Sequence, residues 1–447
     1  MGGGLLQLVA YGAQDAYISG NPQITFWKGL FKRHTNFAME PFRINFSGQI
    51  QWGTKQTALI GRHADLLYST YVEVVLPQTD ADDNLYYWNN TSNVLGYNLI
   101  KHVELDIGGQ LIDRMYSEFM VLWGHLTLPT EGLAKLRSML SGVCGADVNG
   151  VSALINGTGC ATDGRQRRQN VVYIPLPFFF TRNPGAALPL IALQYHEVKI
   201  NVLWAEPQYI TGNFTNATVT SGGQIRPPIQ KLPQAVQAAL YIDYIYLDTE
   251  ERRRMAQASH EYLIEQTQFN EDKGIRGSNS RIDLTFNHPV KELIWVVQPS
   301  AYSDCRLAAG IGMTTLQPFN YAHDPVFDQW LQINGQDRLD RRFGDYYNKV
   351  QAFQHHSGSH AGVGAYSYSF ALRPEEHQPS GTCNFSRIDT ATIVMNMAGV
   401  ELSGTSFNFN EPNTQNDVYN DWDVRVYAVN YNVLRVMSGM GGLAYSN

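Results

Sequence analysis

Three imidazoles fall within six positions in His355-His356-Ser357-Gly358-Ser359-His360, the best candidate for a metal site in the chain. Zinc takes four ligands, and imidazole is commonly joined by thiolate or carboxylate. Neither type lies nearby in the sequence, so the segment reads as a polar loop. His196-Glu197 and His260-Glu261 open like the helical zinc motif of peptidases. That motif needs a second imidazole one helical turn later, and Ile200 and Ile264 stand there instead. Asp80, Asp82 and Asp83 crowd a loop but lack the glycine and distal glutamate of a calcium-binding loop. Gly310-Ile311-Gly312 lacks the third glycine of a dinucleotide turn. No glycine precedes a lysine, which excludes a phosphate-cradling Walker loop, and no Gly-x-Ser-x-Gly elbow occurs. No catalytic, metal-ligating or cofactor-binding residue is therefore assigned, and an enzyme is not expected.

The remaining function classes narrow by charge and composition. With 33 Lys and Arg against 40 Asp and Glu, the chain of 447 residues carries a formal charge of −7. Such a balance does not suit direct gripping of a nucleic-acid backbone. The basic clusters Lys32-Arg33 and Arg165-Gln166-Arg167-Arg168 are short and carry no interleaved stacking aromatics. Only 16% of residues are charged while 12% are aromatic, a balance suited to burying much of the outside against other subunits. Asn-x-Ser/Thr triplets at Asn45, Asn89, Asn90, Asn156, Asn213, Asn216 and Asn384 are what chance gives a chain rich in Asn and Thr. The start, Met1 to Gln7, has neither a basic stretch nor a long apolar core, so no secretory signal is expected. Leu6 stands where a myristoylation signal prefers Ser or Thr. The apolar run Val171 to Phe180 is too short for a membrane span and is broken by Pro175 and Pro177. Cys144, Cys160, Cys305 and Cys383 form no CxxC, so reduced thiols and folding in cytosol are expected.

The elements that must position any site are mostly strands. His102 to Ile107 and Asp423 to Ala428 alternate apolar and polar, as half-buried strands do. Leu293 to Val297 is apolar throughout, as in a strand covered on both faces. An internal repeat organises them. Ile107-Gly108-Gly109-Gln110 leads to Ile112-Asp113-Arg114 and the aromatic run Tyr116-Ser117-Glu118-Phe119. Ile333-Asn334-Gly335-Gln336 leads to Leu339-Asp340-Arg341 and Phe343-Gly344-Asp345-Tyr346. Tyr71 to Pro77 precedes the first hairpin as Leu293 to Pro299 precedes the second. Pro177 to Val198 matches Leu372 to Ile393, two extended runs each interrupted by a Pro-containing loop. Each copy closes on a Tyr-rich strand, Tyr241 to Ile245 and Val426 to Tyr431. The hairpins are offset by 226 residues (Ile107 to Ile333) and the Pro-terminated strands by 222 (Pro77 to Pro299). The Gly/Asn/Thr-rich segments Ser141 to Gly164 and Gly212 to Gln224 read as loop insertions in the first copy. Between the copies, Asp248 to Ala256 places acidic residues before basic ones, as a short capped helix prefers. The expected organisation is an arm at 1–25, a β domain at 26–248, a helical linker at 249–265 and a second β domain at 266–447. Two such domains are sandwiches or barrels; periodicity alone does not choose among their topologies.

Particular runs then become recognisable. Leu8 to Asp15 followed by Asn21-Pro22-Gln23-Ile24-Thr25-Phe26 resembles the amino end of major capsid proteins of nucleocytoplasmic large double-stranded DNA viruses, closest to the algal-virus type. The resemblance continues through Ile107 to Gln110, Leu188 to Val198, Asn334 to Arg338, Pro379 to Asp389 and Asn430 to Arg435. It covers nearly the whole chain and departs mainly in the loops at 80–98, 141–170 and 212–233. It implies an all-β fold of two consecutive eight-stranded jelly rolls with a few short helices. It also implies a homotrimeric, pseudo-hexagonal capsomer in an icosahedral shell over an inner membrane. Neighbouring capsomers, minor capsid and penton proteins would be its partners, with surface glycans on its loops and no direct nucleic acid. Its place would be the virion, assembled in host cytoplasm. Two other classes remain open. One is a carbohydrate-binding β-sandwich protein using Tyr86-Tyr87-Trp88, and the other a cupin-like metalloenzyme using His355 to His360.

Overall fold

The computed structural model describes residues 12–22, 26, 27, 29, 31–76, 87–89, 94–141, 154–156, 170–206, 211–212, 237–275, 279–299, 324–358, 362, 364–397, 401–402, 405–406 and 422–445. They fall into two compact units, 1–37 and 38–447. In the smaller unit a short helix, Ala16–Ser19, is held by Ser19 Oγ donating to the Asp15 carbonyl. Tyr17, Phe26, Trp27 and Phe31 of this unit are exposed.

In the larger unit the strands are β1 (Phe37–Asn45), β2 (Lys55–Ile60), β3 (Leu66–Leu76), β4 (Ile100–Ile107), β5 (Gln110–Tyr116), β6 (Asn170–Pro175), β7 (Val198–Trp204) and β8 (Gln237–Leu247). They pair in the orders β1-β8-β3-β6 and β2-β7-β4-β5. Apolar residues alternate inward along them: Val72, Val74 and Leu76 of β3 face Val103, Leu105 and Ile107 of β4 across one core. The same order returns in β9 (His260–Ile275), β10 (Asn279–Leu284), β11 (Pro289–Pro299), β12 (Val326–Ile333), β13 (Gln336–Asp337), β14 (Ala365–Ser369), β15 (Ala391–Met397) and β16 (Trp422–Met437). These pair as β9-β16-β11-β14 and β10-β15-β12-β13. Two facing sheets with that strand order are a jelly roll, and the chain contains it twice.

The repeat maps strand onto strand. Both hairpin turns have two consecutive residues at positive φ: 61° and 86° at Gly108-Gly109, 52° and 73° at Asn334-Gly335. Two-residue hairpins favour that turn because its twist matches the strands. A Cβ at Gly109 or Gly335 would meet no atom within 4 Å, so a substitution there pays in backbone strain alone. Gly109→Val and Gly335→Val are each expected to cost on the order of 1–3 kcal/mol in denaturant unfolding. Gly108→Val should cost more, since its Cβ would lie 2.5 Å from the His196 ring. A natural control in a loop, Gly222, lies outside the described residues.

Four expectations change in detail. The Pro-terminated strands are equivalent, but the 222-residue offset is out of phase. It sets Val74, a core residue, against Val296, whose face packs on the other jelly roll, while Leu293, Trp295 and Val297 fill the second core. Side chains alternate with a period of two, so a slip of one exchanges the faces. The matched runs at 177–198 and 372–393 are not extended. Most of each is the connection into β7 or β15, with short helical turns at Phe179–Arg182 and Phe385–Arg387. The linker helix occupies only Thr249–Gln257, capped by Asp248 Oδ1 accepting from the Glu250 amide at 2.8 Å. Residues 260–265, assigned to it from sequence, open β9 instead, because His260 onward pairs with β16. The proposed insertions lie mostly outside the described residues, but they are not wholly loops. Ser141 ends a helix, and Leu154–Asn156 and Thr211–Gly212 both pair with Tyr87–Asn89 in a 3-stranded sheet. Among the described residues no helix is long and apolar enough to cross a membrane.

Candidate functional site: the seam between the jelly rolls

Among the described residues, those singled out for chemistry do not converge. His196 Nδ1 lies 2.9 Å from the Gly441 carbonyl, and His260 Nε2 lies 2.8 Å from the Met255 carbonyl. His355 Nδ1 is 3.2 Å from the Leu372 carbonyl, while Ser359 and His360 lie outside the described residues. So do Asp80, Asp82, Asp83, Gly310 to Gly312, Arg165 to Arg168 and Tyr86. Asn384 spends its side chain on the Ser386 amide at 3.1 Å. Among the described residues, no group of three or more His, Cys, Asp or Glu is arranged to hold a metal ion.

His356 corrects the polar-loop reading. It is buried, with Nε2 at 2.6 Å from Glu292 Oε1 and Nδ1 at 3.2 Å from Glu375 Oε1. Burial works to lower its pKa, but the two carboxylates outweigh it and raise the value to about 10. The imidazole is thus a structural cation at neutral pH. Sequence distance hid it: Glu292 comes from β11, far from His356 in the chain.

What the structure does bring together is a seam between the two jelly rolls. Its centre is α1 (Ser117–Thr127), which follows the first hairpin and is buried from Phe119 to Leu126. On one side α1 closes the first core. On the other it packs against the outer face of the β9-β16-β11 sheet, where Ile294, Val296, Tyr427 and Val429 join the first jelly roll's apolar cluster. Phe119 and Tyr427 have ring centroids 5.6 Å apart, and Tyr116 stacks on Phe269 at 4.2 Å. This explains why Leu293 to Val297 of β11 reads as apolar throughout: both faces of the strand are covered.

Charge is buried in the same seam. Arg425 grips Glu118 in a bidentate pair at 2.7 and 2.8 Å, and the Tyr427 hydroxyl donates to Glu118 at 2.7 Å. Burial opposes the Arg425 charge, but Glu118 outweighs it and holds the guanidinium pKa above its ordinary value. Lys291 is fully buried, with Nζ 2.6 Å from Glu265 and 2.6 Å from the Pro374 carbonyl. Arg182 reaches Glu265 at 2.9 Å from the first jelly roll and lies over the Trp123 ring. The backbone is tied too: Thr267 donates to Asp113 Oδ1 at 3.0 Å, and Gln266 donates to the Ile112 carbonyl. Burial pushes the Asp113 pKa up to about 6, against the Thr267 hydrogen bond that favours its charge. A last strand, β17 (Met440–Leu443), latches the carboxy end to the first jelly roll through the Leu443 amide and Gln110 at 3.3 Å.

The seam is built of packed aromatic rings and buried ion pairs. It welds two jelly rolls into one body. None of its ion pairs was singled out from sequence, although the charged Lys291-Glu292 inside an apolar strand was a usable signal.

Comparison with known proteins agrees with this geometry. Residues 25–248 match the family model described as major capsid protein N-terminus. Residues 251–442 match that of the large eukaryotic DNA virus major capsid protein. The major capsid protein of Phaeocystis pouchetii virus is 40% identical over the whole of both chains. That of Paramecium bursaria Chlorella virus 1 is 39% identical, again over the whole of both. Among solved structures, a quasi-atomic model of the PBCV-1 virus capsid superposes with a TM-score of 0.75 at 34% identity, covering 95% of this chain and 100% of that one. With two jelly rolls in one chain and both family models matched in order, this chain belongs to the major capsid proteins of large eukaryotic DNA viruses.

Proposed function

We propose that three copies of this chain form a pseudo-hexagonal capsomer, and that such capsomers tile an icosahedral viral shell. The single observation that carries this is the repeated jelly roll welded by a buried seam. Two like domains held rigidly in one chain give a threefold assembly six similar corners, the shape that a hexagonal lattice accepts. The division into an arm, a first domain at 26–248, a linker and a second domain ending at 447 belongs to this proposal, with the linker helix shortened as described above. Neighbouring capsomers, minor capsid and penton proteins are its direct partners, and an inner membrane its indirect one. The role needs no cofactor, metal or catalytic residue, and no direct contact with nucleic acid. Assembly takes place in the host cytoplasm. The carbohydrate-binding alternative rests on Tyr86-Tyr87-Trp88, whose side chains lie outside the described residues.

Light scattering of the purified chain at micromolar concentration is expected to give the mass of a trimer, unchanged by a chelator. A monomer, or loss of the oligomer with chelator, would overturn the proposal.

A further inference from the structure

The internal duplication makes the seam a template. Within one chain, the helix after the first hairpin packs on the outer face of the second jelly roll's sheet. The duplication supplies a second set of these two parts, the helix of the second copy and the sheet face of the first, and each is left open. The helical run after the second hairpin, Tyr346 to His355, buries Tyr347, Asn348, Gln351 and Ala352 but exposes Lys349, Val350, Phe353 and Gln354. Phe353 is 88% exposed and Val350 41%. Aligning Asp345 with Glu118, as the repeat does, sets Val350 and Phe353 on Trp123 and Leu126, two side chains buried in α1. The first jelly roll's outer sheet face is correspondingly only half covered. Tyr71 stacks on Tyr241 there at 5.2 Å, beside Tyr173, which is 38% exposed. The matching face of the second jelly roll is buried. Charge complements in part: Glu73 and Asp243 flank the tyrosines, while Arg342 lies over the Tyr346 ring beside the exposed helix, and Arg341 and Lys349 are paired with Asp328 and Asp345.

Resting on the trimeric reading above, we propose that the exposed face at Lys349, Val350, Phe353 and Gln354 docks onto the Tyr71–Tyr173–Tyr241 face of a second copy of this chain. The contact is head to tail. Each chain contributes one helix face and one sheet face, so inter-chain contacts alternate with the intra-chain seam around a closed ring. An exposed aromatic at the centre of such a patch is the usual anchor of an interface.

Two experiments on the full-length chain test this. Phe353→Glu should weaken the oligomer by at least ~30-fold in dissociation constant, the loss of one hot-spot anchor. Its monomer should melt as the parent does, since the side chain touches little within its own chain. Chains carrying Phe353→Cys alone or Tyr173→Cys alone should give no cross-linked dimer with a short bis-maleimide beyond the parent background. Chains co-expressed in a mixture should give it. A trimer that survives Phe353→Glu, or a Phe353→Cys chain that cross-links to itself, would overturn the docking surface while leaving the trimer standing. A parent chain that is monomeric would instead overturn the trimer itself.

Discussion

Replacing His356 by leucine is expected to cost about 3–5 kcal/mol of stability, because it strands a buried carboxylate. Glu292 is fully buried and faces the imidazole at 2.6 Å. Removing one partner of such a pair leaves the other's desolvation unpaid, whereas removing both can be close to neutral. The double variant His356→Leu, Glu292→Leu should therefore recover most of the loss in urea unfolding. The pair also fixes a pH dependence. Because the folded His356 pKa of about 10 lies above its ordinary 6.5, the contribution is fully present below about pH 6.5. It fades as pH rises through the folded value. The parent should lose stability between neutral pH and pH 10, and the double variant should lose less of it. Equal alkaline losses in both would sink the assignment.

Arg425→Met is the second large change. It removes the guanidinium that grips Glu118 at 2.7 and 2.8 Å, leaving that carboxylate at the seam with the Tyr427 hydroxyl as its remaining partner among the described residues. A loss of about 3 kcal/mol or more is expected. Because the pair is mostly buried, added salt should hardly screen it in the parent. The location of the damage matters as much as its size. Amide exchange should quicken first in α1 and along β16, ahead of the two jelly-roll cores. Exchange that quickens in the second core alone would mean that Glu118 and Arg425 do not couple the domains. Glu118→Gln keeps an acceptor for Tyr427 and should be milder.

Much of the architecture was legible because its signals are local. Hairpin turns announce themselves by Gly108-Gly109 and Asn334-Gly335, and alternation names the core faces of β4 and β16. The Pro-terminated strands were found, yet their phase was lost, since proline marks a strand's end without reporting which face its neighbours take. Residues 260–265 looked continuous with the linker helix because no Gly or Pro breaks them; pairing with β16 decides their conformation, and that is a tertiary effect. The seam was least legible of all. Arg425 and Tyr427 alternate with apolar residues, as on the polar face of a half-buried strand, but Glu118 and Phe119 of the first jelly roll lie against them. Alternation identifies two faces of a strand. It does not say whether water or another jelly roll lies against the polar one. His356 shows the same gap, since its carboxylate partners, Glu292 and Glu375, come from other segments of the chain.

Electron microscopy of the purified oligomer distinguishes a rigid trimer of paired jelly rolls from any other assembly. Three chains, each with two jelly rolls welded by the Glu118–Arg425 seam, should appear as a six-lobed, nearly hexagonal plate with threefold symmetry. A twofold particle, or three pairs of lobes hinged at variable angles, would contradict it.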